Sequence, residues 1–181
     1  MKPVDWLKLA ASMIVVLAAG RVGSLFTAPA IAPWYAALAK PVLTPPSWVF
    51  GPVWTVLFLL MGAALFMVWK AGWTVRNPIL AGKDGGWNPW TRRLWSGDWR
   101  KANIIAVFAI QLALNILWSY LFFGLHMPGA AFFEIFALWW AILYTMVNFY
   151  RVSKTAAWLL LPYIIWVMFA AYLNWGIWVM N

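Results

Sequence analysis

Apolar residues gather into five long runs along this chain, near 5–26, 47–69, 102–124, 130–149 and 155–179, and proline-rich or basic segments separate them. A helix of about 20 residues crosses the roughly 30 Å of hydrocarbon in a bilayer. The pattern therefore predicts an all-α membrane protein, a five-transmembrane-helix bundle forming one domain over 1–181. The first run, with Lys2 and Lys8 ahead of LAASMIVVLAAG, also has the shape of a signal peptide. With the chain running from Met1, it is read as a retained helix.

Charge sets the expected orientation. Lys2 and Lys8, seven basic residues from Lys70 to Lys101 inclusive, and Arg151 with Lys154 fall on one side, against Lys40 alone outside the spans on the other. That bias puts the N-terminus in the cytoplasm and the C-terminus outside. Segment 27–46 is then an outer loop, and 71–101 a long, basic, Trp-rich cytoplasmic loop.

Composition agrees with a membrane protein: 66% of residues are hydrophobic, 9% are charged and the mean hydropathy is +0.80, which leaves too little polar surface to coat a water-soluble globule. The 17 Trp, 12 Phe and 6 Tyr exceed what aromatic belts at the helix ends require, so some rings should line an interior. The net charge of +9 has a simpler cause in topology than in nucleic-acid binding. Cysteine is absent and the one histidine, His126, stands in a short loop. Neither a catalytic constellation nor a metal cluster can be assembled from the titratable residues.

Polar residues inside the runs are the informative ones. Gln111, Asn115, Trp118 and Ser119 recur at helical spacing on the third run and share a face; Asn115 there can bond a neighbouring helix or a ligand. Pro162, Trp166, Ala170 and Asn174 form a stripe on the fifth, with Pro162 bending the helix and Ala170 leaving either a notch beside a ring or a close helix contact. Glu134 is the acid within a span and Arg21 the base well inside one. Both lie about five residues from an outer helix end, which predicts a structural ion pair between the first and fourth helices. Ala102, Ala106, Ala109 and Ala113 suit a homodimer contact or internal packing equally. The loop at 71–101 reads as an attachment to membrane lipid or to a larger complex, with RNA a remoter option.

The outer loop raises its own question, because WYAALAKPVLTPPSWVFGPVW has one charge, many rings and several prolines. It is either a lid resting on the helix ends or a stiff connector at headgroup depth.

These strings, together with QLALNILWSYLFFG and AAWLLLPYIIWVMFAAYLNWGIW, resemble the TspO/MBR family of tryptophan-rich sensory proteins and translocator proteins, the latter also known as peripheral-type benzodiazepine receptors. The resemblance covers most of the chain. It implies a bundle, usually dimeric, whose outer loop closes a pocket for porphyrins and synthetic aromatic drugs. Carried over residue by residue, the pocket would comprise Trp34, Trp54, Asn115, Trp118, Trp166 and Ala170, and the lid framework Lys40, Pro41, Pro45 and Pro46. The implied function is tetrapyrrole binding in a regulatory or pigment-handling role, in a bacterial inner membrane of cytoplasmic or photosynthetic type, with no obligatory cofactor. Light-dependent porphyrin breakdown is known among relatives, and an accessory role in a photosynthetic pigment-protein complex is the alternative. Leu43 and Phe58 depart from the family pattern, which commonly has tryptophan and tyrosine there. The 71–101 loop is longer than is usual. The C-terminal cholesterol-recognition pattern lacks its basic residue, although Val147, Tyr150 and Lys154 fit its form elsewhere.

Overall fold

A computed structural model describes residues 2–72 and 97–181, with the side chains of 97–101 and most of the basic 71–101 loop lying outside the description. The described residues are helical and contain no strand. In order they form α1 (Pro3–Ile31), α2 (Phe50–Lys70), α3 (Gly97–Ser119), α4 (Pro128–Val152), α5 (Lys154–Trp158) and α6 (Leu161–Met180). Five segments are long and apolar enough to cross a membrane: Pro3–Ile31, Ser47–Lys70, Ala102–Gly124, Pro128–Val152 and Lys154–Met180. Outward faces carry exposed apolar side chains such as Val15, Leu59, Ile110, Phe133 and Ile165, the arrangement expected of helices bathed in lipid.

Local chemistry sets where each helix starts and breaks. Pro3 sits in the first turn of α1, where no N–H is missed, and the Lys2 amide donates to the Asp5 carboxylate at 3.1 Å. Asp5 also pairs with Lys70 at 3.9 Å, joining the N-terminus of α1 to the C-terminus of α2. Between α4 and α5 the chain turns at Ser153, whose backbone is extended and whose hydroxyl accepts from the Ala156 amide at 3.3 Å. The last span is interrupted at Leu159–Leu160, and Pro162 falls in the opening turn of α6, where its fixed φ is compatible with a helix. α3 ends in a wider π turn, Tyr120–Gly124, closed by the Leu125 amide donating to the Tyr120 carbonyl at 2.8 Å. Such turns re-aim side chains relative to a regular helix.

At the end of the bundle away from the loop Gly62 lets α1 and α2 approach closely, since a Cβ there would strike the Met13 side chain. This end is filled solidly: Met61, Ala64, Val68, Ile104, Phe108 and Phe149 are at most 3% exposed, and the Phe108 and Phe149 rings stack at 5.7 Å.

Two sequence expectations are corrected here. The outer loop begins at residue 32 and not at 27, because α1 continues through Pro29 to Ile31; a transmembrane helix tolerates the backbone bond that proline forgoes. Arg21 and Glu134 do not form an ion pair. α1 packs on α2 and α3, whereas α4 packs on α3, α5 and α6, so the two residues stand on helices that are not main packing partners. Both Glu134 carboxylate oxygens are shielded and lack a hydrogen-bond partner. Arg21 is exposed, and its guanidinium reaches only Ser24 Oγ, at 3.5 Å.

An aromatic cavity as candidate functional site

Toward the outer loop the helices separate around a cavity of about 460 Å³. α1, α2, α3 with its π turn, and α6 form the wall, and α4 contributes no residue to it. The sequence placed polar and aromatic residues at helical spacing on α3 and α6, and that spacing turns both stripes into one space: Asn115, Trp118 and Ser119 face Trp166, Ala170 and Asn174 across it. Trp54 lines it from α2, stacked on Phe58 at 5.4 Å with 30° between ring planes. Trp118 stacks on Phe122 at 5.1 Å and 19°, and Trp166 meets Phe50 edge-on at 6.1 Å. Ring contacts of this kind add modest cohesion beyond burial, and they hold the indoles in fixed orientations around the void.

Polar atoms of the wall are engaged with the protein. The Trp118 indole donates to Asn174 Oδ1 at 3.1 Å, Asn174 Nδ2 donates to the Pro128 carbonyl at 2.6 Å, and Asn115 Nδ2 donates to the Tyr163 hydroxyl at 3.0 Å. These bonds tie α3, α4 and α6 together along the cavity wall, so the helix-to-helix role open to Asn115 is realised. The same residue also borders the void.

The outer loop is fastened over this space at three places. Trp34 stacks on His126 at 4.3 Å and 17°, where His126 takes a positive φ of 54° in the turn between α3 and α4. Pro41 packs on Gly176 of α6, where any Cβ would collide with the proline ring. Ala39 exchanges two hydrogen bonds of 3.0 Å with the Asn181 side chain. Lys40 Nζ donates to the Ala36 and Leu38 carbonyls at 3.0 and 2.9 Å and lies 4.9 Å above the Tyr35 ring. The Thr44 amide closes a turn on the Pro41 carbonyl, and the Val49 amide bonds the carbonyl of Pro46 on the way into α2. Pro45, between these turns, is half-buried.

Trp34 does not line the cavity. Its ring is used against His126, Phe122 and Phe123, and the neighbouring Tyr35 turns inward to form the roof. Burial pushes the Tyr35 phenol above its ordinary value near 10, so the roof stays neutral across the physiological range. Phe50, Phe122 and Phe123 also belong to the wall, as does Arg21, assigned from sequence to a different role. Their clue was the aromatic excess, which gives a number of rings but no addresses.

Fold and site together define a multi-pass membrane protein with a lidded, ring-walled cavity at one end of its bundle. The chain belongs to the TspO/MBR family, whose pattern matches residues 11–179. It is 42% identical over 175 residues to the Tryptophan-rich protein TspO of Archaeoglobus fulgidus, covering 97% of each chain. It is 36% identical over 147 residues to the Translocator protein of Homo sapiens, covering 80% of this chain and 73% of that one. Protein CrtK of Rhodobacter capsulatus is 31% identical over 163 residues, 90% of this chain and 86% of the relative.

Proposed function

We propose that this protein binds a porphyrin or related tetrapyrrole in the cavity beneath the lid, in a sensory or pigment-handling role. The observation that carries the reading is the wall itself: Trp54, Trp118 and Trp166 border a space of about 460 Å³, within the size range of small-molecule sites, and flat π faces suit a flat aromatic guest. Relatives named Translocator protein and Tryptophan-rich sensory protein fit a membrane protein that responds to a ligand. In this reading the membrane is a bacterial inner membrane and the N-terminus is cytoplasmic, as the distribution of Lys and Arg favours. A homodimer or membership of a pigment-protein complex is compatible with the reading and is not required by it.

Titration of the purified protein with protoporphyrin IX tests the proposal. Saturable quenching of tryptophan fluorescence, with a matching shift of the porphyrin absorption band, is the expected result, and Trp166→Ala should weaken it. Quenching that rises without saturation, and is the same in the variant, rejects the cavity as the site.

A further inference from the structure

The cavity is not closed on all sides. Its wall residues on α3 and α6 are buried or half-buried, and every exposed one belongs to α1 or to the start of the second span: Leu17, Arg21, Ala28, Ser47, Gly51 and Thr55. The gap therefore faces sideways, between two membrane-crossing helices, while the lid covers the top.

Arg21 stands in this gap. Among the described residues it is the one charged side chain in the cavity wall, and the one described ion pair, Lys70–Asp5, lies elsewhere. Its contact with Ser24 Oγ at 3.5 Å is at the limit for a hydrogen bond. The hydroxyls around it already donate to their own helices: Ser24 to the Arg21 carbonyl at 2.7 Å, Thr27 to Gly23 at 3.1 Å and Thr55 to Gly51 at 2.9 Å. The guanidinium is thus the strong donor left facing the mouth. A cation within a span is costly unless it meets an anion or water, and a planar guanidinium is matched best by a two-oxygen acid. Arg21 precedes the end of α1 by ten residues, about 15 Å along the helix axis, which is deep for a lipid phosphate and apt for an acid carried on a cavity ligand.

We infer that the cavity is loaded from the bilayer through the gap between α1 and α2, and that its ligand carries a carboxylate which pairs with Arg21 at that gap while its aromatic body stacks among the indoles. This rests on the tetrapyrrole reading and narrows it to acidic, amphipathic tetrapyrroles oriented with the acid outward.

Protoporphyrin IX and its dimethyl ester differ in the acid groups and share the ring, so the pair isolates the Arg21 contact. Both are titrated into the full-length protein in an uncharged detergent without added lipid. The wild type should bind the diacid about tenfold tighter or more, the yield of a charge-assisted hydrogen bond. Arg21→Gln should level the two by losing diacid affinity, with the diester reporting that the pocket is intact, and Arg21→Lys should keep part of the preference. Equal binding of both forms by the wild type leaves the tetrapyrrole reading standing and overturns this inference alone; binding of neither overturns both. A preference that survives in Arg21→Gln overturns the role of Arg21. One that appears only when anionic lipid is added assigns Arg21 to a headgroup phosphate and overturns the ligand contact. Should Arg21→Gln fail to fold, the wild-type preference and Arg21→Lys decide. Side entry has its own test: a Cβ at Gly51 meets open space, so Gly51→Leu should narrow the gap and slow association severalfold, and an unchanged association rate overturns it.

Discussion

The two ends of this bundle use the same helices for opposite purposes. At the end where Lys70 meets Asp5, glycine and alanine let helices close on one another, and Met61, Val68, Phe108 and Phe149 fill what remains. At the other end, the residues between the same helices are large, flat and mutually braced, with Trp118 on Phe122 and Trp54 on Phe58, and they enclose a void instead of filling it. The difference lies in side-chain stiffness. Aliphatic chains adjust until a core is dense; indoles and phenyl rings held edge-on by neighbours keep their separation, and a lid pinned at Trp34, Ala39 and Pro41 spans them. One end is packed solid and the other accepts a cost in packing around an enclosed space.

Filling the void should have the largest effect on function. Ala170 lies on the cavity wall one helical turn from Trp166, and Ala170→Leu is expected to lower tetrapyrrole affinity about 100-fold while leaving the detergent melting temperature equal or raised; binding isotherms beside thermal unfolding check both. The converse substitution sharpens the contrast. Met61 is fully buried at the dense end, and Met61→Ala should cost about 2 kcal/mol or more of stability with affinity unchanged, so a loss of binding there would show that the two ends are not independent. The smallest effect is expected at Glu134. Its carboxylate has no partner to lose, so Glu134→Gln should shift stability by less than about 0.5 kcal/mol; a large loss of thermal stability would restore the ion pair that the helix arrangement argues against.

Those same residues mark what a sequence discloses. All five spans were legible, because a run of apolar residues long enough to cross a bilayer has few other uses; helical periodicity put Asn115 with Trp118, and Trp166 with Ala170, on one face of each helix, whereas the meeting of the two faces was implied by the family resemblance alone. Depth and adjacency were not legible: with α1 running to Ile31, Arg21 lies ten residues from the end of its helix and Glu134 six from the start of α4, the two helices are not main packing partners, and which helices are neighbours is decided by packing over the whole bundle. The choice between Trp34 and Tyr35 was hidden for a related reason. In a short 3₁₀ turn successive side chains point in different directions, and the direction is fixed by His126, a residue some ninety positions away whose ring captures the indole. The end of α1 was placed too early, at the end of the apolar run near residue 26, because the helix carries on through Pro29 to Ile31, as a transmembrane helix can.

The sideways gap between α1 and α2 changes the meaning of an affinity for this molecule. A guest that arrives through the hydrocarbon is drawn from a two-dimensional reservoir, and its effective concentration is set by how much of it dissolves per mole of lipid. Diluting the surrounding water would then hardly loosen the complex, whereas diluting the bilayer with more lipid would empty it.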